Sequence, residues 1–185
     1  MELTEHTLQS ETAYAGGFLQ VKKDTVRLPD GKEANREYIR HPGAVAVLAL
    51  DDAGHLVMVR QYRYPVGRTF VEIPAGKIDA GEAPHLTARR ELREETGYQA
   101  DEWLFLGTAY PCIGYSDECI HYYLARGLTL SESTPDEGEF VETLCLPLAE
   151  VRTRSLRGEV CDSKTLVGLY WLDAWQNGSL LGERI

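Results

Sequence analysis

No run of apolar residues reaches the length of a membrane-spanning helix, and no N-terminal stretch joins basic residues to an apolar run and a small-residue cleavage site. A cytoplasmic protein with no membrane partner is therefore expected. Positive charge is scarce as well: 19 Lys and Arg against 29 Asp and Glu leave a net charge of −10. That balance argues against broad attraction to nucleic acid, although a small polyanion can still be held by local arginines and a bridging metal. Cysteine is sparse and scattered. Cys112, Cys119, Cys145 and Cys161 form no CxxC pair and have no histidines at zinc-finger spacing, so buried free thiols are the expectation. Internal repeats and low-complexity linkers are also missing.

What the chain does have is ordinary globular composition. Its 185 residues, 43% hydrophobic and 26% charged, suffice for one substantial core. Periodic segments and turn residues predict a hairpin of strands at 17–28 and 33–40 about Pro29-Asp30-Gly31, and a core strand at 43–50 turning through 51–54 into a strand at 55–61. Further strands are expected at 69–73, 103–109, 118–125 and 140–146. Helices are expected at 84–96, near 148–154 and at about 163–176. Strands interleaved with helices in this order predict an α/β fold, a mixed sheet with helices packed on both faces.

The most informative segment is GKIDAGEAPHLTARRELREETGY, residues 76–98. Pro84 suits a first helical turn, Gly97 a helix stop, and the residues between are mostly good helix formers. At roughly 100° per residue, Glu91, Glu94 and Glu95 fall within an arc of about 100° on that helix. Converging carboxylates repel one another, so a cation is their natural partner. Oxygen-only ligands favour a hard ion, with Mg²⁺ first and Mn²⁺ as substitute. Arg90 precedes Glu94 by one turn and is placed to hold it by a salt bridge, while Ala88 and Leu92 form an apolar docking strip. Ala83, the expected N-cap, lacks a side-chain oxygen and so forgoes about 1 kcal/mol. The competing reading, a solvated acidic face, does not account for the spacing.

That spacing resembles the signature of the Nudix hydrolases at Gly76, Glu82, Arg90, Glu91, Leu92, Glu94, Glu95 and Gly97, with Tyr98 in place of the final aliphatic residue. The resemblance implies a Nudix-type α/β/α sandwich, with residues 1–41 as an N-terminal strand and hairpin region and 42–185 as the Nudix domain. RHPGAVAV at 40–47, VRQYR at 59–63, EIPAG at 72–76, YPCIGYSDE at 110–118 and DEGEFVE at 136–142 resemble the ADP-ribose pyrophosphatase branch. The chain departs from that branch's Ser-Pro-Gly loop at Cys112-Ile113-Gly114.

The branch implies Mg²⁺-dependent hydrolysis of ADP-ribose to AMP and ribose 5-phosphate. The alternatives are another nucleoside diphosphate sugar such as GDP-mannose, or a Nudix module that senses a nucleotide without cutting it. By the resemblance, Glu91, Glu95 and the carbonyl of Ala75 bind metal, and Glu94 is either a further ligand or a carboxylate held by Arg90. Glu82 is a supporting acid. Glu139 is the expected base, with Glu137 as a substrate or water contact and Glu142 as fallback. Arg63 would contact the phosphates, and Glu72 would either bind ribose hydroxyls or pair with Arg63. Arg36 and Glu37 resemble a pair that holds the adenine end in some relatives; an exposed strand-edge pair is the alternative. Phe18 and Tyr38 are candidates for stacking on adenine or for ordinary core. The branch also implies a homodimer in which the N-terminal hairpin crosses to the partner.

Overall fold

The structure is a computed structural model that describes residues 2–131 and 140–185. The chain divides into two units, Met1–Pro42 with Tyr110–Cys119, and Gly43–Ala109 with Ile120–Ile185.

In the first unit, β1 (His6–Ala15), β2 (Gln20–Arg27) and β3 (Glu33–Arg40) form an antiparallel sheet in the order β1-β2-β3. The expected hairpin is present as β2 and β3, with Gly31 in the left-handed region at φ 85° where its turn requires it. β1 adds a third strand that the sequence pattern did not predict. Every residue of β1 is exposed, so no apolar alternation marks it, and it is held through its pairing with β2. Segment 110–119 is tied to β3: Ile39 N donates to Tyr115 O at 2.8 Å and Asp117 N to Ile39 O at 3.2 Å. The Arg40 guanidinium pairs with Asp117 at 2.8 Å. Tyr38 donates its hydroxyl to Asp24 at 3.2 Å, and Phe18 is more than half exposed and edge-on to His41.

The second unit is the expected sandwich. Its strands in chain order are β4 (Ala44–Leu50), β5 (His55–Arg63), β6 (Arg68–Glu72), β7 (Ala75–Lys77), β8 (Tyr98–Ala109), β9 (Ile120–Leu130), β10 (Val141–Pro147) and β11 (Glu183–Arg184). Its helices are α1 (Pro84–Thr96), α2 (Leu148–Leu156) and α3 (Ser163–Gln176). The sheet runs β10-β5-β4-β9-β8-β11, with β6 on β5 and β7 on β4; β4 and β9 are parallel, and the other pairs are antiparallel. β4 is buried along its whole length, and its alternating side chains feed two cores. Ala46, Leu48 and Leu50 meet Leu148, Val151, Leu169 and Leu172 on the α2 and α3 side. Val45, Val47 and Ala49 meet Ala88 and Leu92 of α1. Leu92 is fully buried there, contributing about 1.5–3 kcal/mol to docking. Among the described residues, no helix is long and apolar enough to cross a membrane.

Candidate active site

The site is built around the connection from β6 through β7 to α1. β7 is pinned to the central strand by its register with Ala44–Ala46, and the approach is fixed by Val47 N donating to Pro74 O at 2.8 Å. α1 has the boundaries that Pro84 and Gly97 predict. Ala83 is its N-cap with no side-chain hydrogen bond, and Gly97 caps the other end at φ 74°, donating its N–H to Arg93 O at 2.8 Å.

Docking through Ala88 and Leu92 aims the acids of α1 at the β7 loop. Glu95, only 7% exposed, accepts a hydrogen bond from Ala75 N at 3.0 Å. Glu91 lies so close to Gly76 that a Cβ on that glycine would stand 1.9 Å from the Glu91 carboxyl carbon. The glycine of the signature is therefore required by the approach of a carboxylate to the backbone, not by a positive φ.

Arg90 organises this group. Its Nη1 donates to Glu91 at 2.8 Å and to Glu94 at 2.9 Å, the pair predicted from one-turn spacing. Its Nε and Nη2 donate to Glu82 at 3.2 and 3.0 Å, and Nη2 also reaches Lys77 O at 3.3 Å. Glu82 in turn accepts from Thr87 Oγ1 at 2.8 Å. The bond to Glu82, with those to Glu94 and Glu91, outweighs burial and pushes the Arg90 pKa up. The same contact with Arg90 holds Glu82 below the usual carboxylate range. Glu82, Glu91 and Glu94 thus share one guanidinium, with Glu95 beside them, and the group carries excess negative charge. Its donors are all oxygen, drawn together at one loop, and this fits a hard divalent cation.

A second ionic group flanks the first. Arg63 donates to Glu72 through Nε at 2.8 Å and Nη2 at 2.9 Å, so Glu72 takes the pairing alternative. Lys164 contacts Glu72 Oε2, the oxygen that also takes Arg63 Nη2, and pairs with Asp162 at 2.9 Å. Glu72 is 1% exposed, and two cations satisfy its charge. Burial alone would lower the Arg63 pKa; Glu72, with Glu95 and Asp162 further off, raises it instead. Asp162 caps α3 by accepting from Thr165 N at 3.0 Å, and Thr165 Oγ1 accepts from Ile73 N at 3.0 Å. The start of α3 is thereby tied to the chain just ahead of the β7 loop. Sequence reasoning missed Lys164 and Asp162. Asp162 is legible as a helix cap, but nothing local relates either residue to Glu72, 92 positions from Lys164.

Glu142 is paired with Arg60 across β10 and β5, on the sheet face opposite Thr143, whose hydroxyl donates to Glu95 O at 3.2 Å. Arg36 and Glu37 belong to the N-terminal unit, where Arg36 is engaged by Glu5. Glu137 and Glu139 lie outside the described residues.

A mixed-sheet sandwich that aims a group of oxygen ligands at a backbone loop defines the class: a hydrolase of the kind that generally works with a divalent metal. The chain belongs to the Nudix family; the NUDIX domain profile matches residues 40–165, and the nucleoside diphosphate sugar hydrolase N-terminal domain profile matches residues 5–39. It is 42% identical over 172 residues to an ADP-ribose pyrophosphatase of Bacillus subtilis, covering 92% of this chain and 93% of that one. It is 43% identical to a methanol dehydrogenase activator of Bacillus methanolicus, covering 91% and 92% of the two chains. The crystal structure of an ADP compounds hydrolase shares the fold, with a TM-score of 0.85 at 23% identity over 97% of this chain and 98% of that one.

Proposed function

We propose that this protein hydrolyses ADP-ribose to AMP and ribose 5-phosphate, with Mg²⁺ as the working cation, in the cytoplasm. The observation that carries the reading is the convergence of Glu91 and Glu95 on Ala75 and Gly76, an oxygen-donor cradle that a single Cβ would fill. The 42% identity to an ADP-ribose pyrophosphatase along nearly the whole chain supports the substrate.

In this reading Glu91, Glu95 and the Ala75 carbonyl hold the cation. Glu94 serves as a further ligand or as a carboxylate kept in place by Arg90. Bound there, the ion supplies charge neutralisation to the diphosphate and acidifies water at the site. Glu139 accepts the proton of the attacking water, with Glu137 contacting substrate or water and Glu142 as fallback base. Glu72 takes the Nε and Nη2 of Arg63, and the partly exposed guanidinium held in this way binds a phosphate oxygen. Arg36 and Glu37 hold the adenine end, contributed by the N-terminal region of a second protomer in a hairpin-exchanged homodimer. Residues 1–41 then form the dimer-forming region and 42–185 the catalytic domain.

The test is product analysis with ADP-ribose, GDP-mannose and related nucleotide sugars, with and without Mg²⁺, beside Glu95→Gln. ADP-ribose should be cut fastest, only with the metal, and the variant should lose more than about 100-fold, beyond the range seen for residues that merely support ligands. Faster cleavage of another nucleotide sugar would overturn the substrate assignment; tight binding without cleavage would overturn the enzyme reading. Sedimentation should give a dimer, and a fully active monomer would rule out the shared site.

A further inference from the structure

A second group of metal-ligating side chains lies away from the β7 loop. Asp51 directly follows β4, His55 begins β5, and Cys145 sits on β10, the strand paired with β5. Pro147 is registered with His55 and Cys145 with Val57, so period-two alternation puts Cys145 and His55 on one face of the sheet. Asp51 is oriented by the turn: its Oδ1 accepts from His55 N at 2.7 Å, and Oδ2 stands 2.9 Å from His55 Nδ1. Cys145 Sγ is 4.0 Å from the same Oδ2, and the three ligand atoms lie within 4.8 Å of one another. Ligand atoms around a tetrahedral zinc stand about 3.3–3.6 Å apart, given bonds of about 2.0 Å to N or O and about 2.3 Å to S. Side-chain adjustments of well under an ångström to about one ångström close that gap. The group is distinct from the α1 acids. Asp51, just past the end of β4, is five residues along the chain from Ala46, the residue registered with Ala75, or about 16 Å in extended chain.

The donor set is also different. One thiol, one imidazole and one carboxylate match a borderline-soft ion, whereas the α1 group is all oxygen. We propose that Asp51, His55 and Cys145 form a binding site for Zn²⁺ or a similar borderline divalent cation, with water completing the coordination. The site clasps the edge strand β10 to the β4–β5 turn. Binding replaces the Cys145 S–H proton, which passes to solvent, and takes the imidazole in its neutral form. No electron is exchanged. Cys145 is exposed, not buried as expected of the thiols, yet partial desolvation and then the Asp51 carboxylate push its thiol up; a divalent ion between thiolate and carboxylate offsets that like-charge conflict.

Cobalt is the probe, because thiolate-to-cobalt charge transfer reports the sulfur directly and an all-oxygen site gives no such band. Reduced full-length protein titrated with Co²⁺ should develop the charge-transfer band and the visible bands of a four-coordinate centre, saturating near one ion per chain and erased by Zn²⁺. Cys145→Ser should lose the charge-transfer band, and His55→Ala should lose the four-coordinate visible bands. Glu95→Gln should keep both, and Cys145→Ser should keep Mg²⁺-dependent hydrolysis. Zn²⁺ should raise the melting temperature of the native chain and not that of Cys145→Ser. A titration with no thiolate band, or a band that survives Cys145→Ser, overturns the proposal and leaves Asp51 and His55 as a turn-stabilising pair.

Discussion

Two ionic groups stand side by side in the larger unit and differ in their charge balance. Around Arg90, Glu82, Glu91 and Glu94 share a single guanidinium, with Glu95 close by. Around Glu72, two cations alternate with two acids in the sequence Arg63, Glu72, Lys164, Asp162. The balanced group can be buried, and Glu72 is; the other group, with its acids drawn to one loop, suits an added divalent cation. Excess charge of one sign marks the place for a ligand, whereas matched charge marks the scaffold that holds it.

The largest effect should come from breaking the balanced group. Glu72→Ala leaves Arg63 and Lys164 without their shared carboxylate and should cost roughly 3–5 kcal/mol in urea unfolding. A loss below about 1 kcal/mol would show that the group is not a scaffold.

Gly76→Ala should behave in the opposite way. The new methyl displaces the end of a flexible Glu91 side chain, so stability should change little, while kcat falls about 100-fold from a misplaced ligand. Equal losses of stability and activity would erase the distinction between the two groups.

Acid titration sharpens it further. For Asp162, burial works to raise the pKa, but Lys164 and the Thr165 donors outweigh it and hold the carboxyl below its ordinary 3.8. A depressed folded value means that the stabilisation is complete above the unfolded pKa and is lost as pH falls through the folded one. The melting temperature should therefore decline only below about pH 4. Lys164→Met should weaken or reverse that decline, because burial then dominates at Asp162 and raises its pKa, so protonation no longer works against the fold at this group.

The smallest effect should lie outside both groups. Ala83→Ser supplies the missing cap of α1 and should add about 0.5–1 kcal/mol to stability at unchanged activity. A change in kcat would show that the start of the helix is coupled to the acids.

Much of this arrangement is legible in the chain itself. Helix α1 obeys local rules, with Pro84 opening it, Gly97 closing it, and one-turn spacing that brings Arg90 to Glu94, so its boundaries and its acidic face follow from residues within reach of one another. α3 likewise has the expected bounds, with Asp162 as its cap. β4 reads as core because it is apolar throughout, which is what a strand covered on both faces requires. Where the relevant partner is distant, the sequence is silent. β1 has no apolar periodicity because its pairing with β2 buries none of its residues, and the three-residue β7 is a strand only by virtue of β4. β8 begins at Tyr98, earlier than the apolar pattern from Trp103 indicates, because backbone pairing with β9 continues past the buried stretch.

The site divides along the same line. The sequence by itself determined the acidic face of α1 and its arginine, because helical periodicity is a short-range property of the backbone. Only the tertiary structure decided that Lys164 and Asp162 complete the charge on Glu72, and that Cys145 comes to rest beside Asp51 and His55. Electrostatic satisfaction depends on distance in space, and these partners are brought together by the sheet.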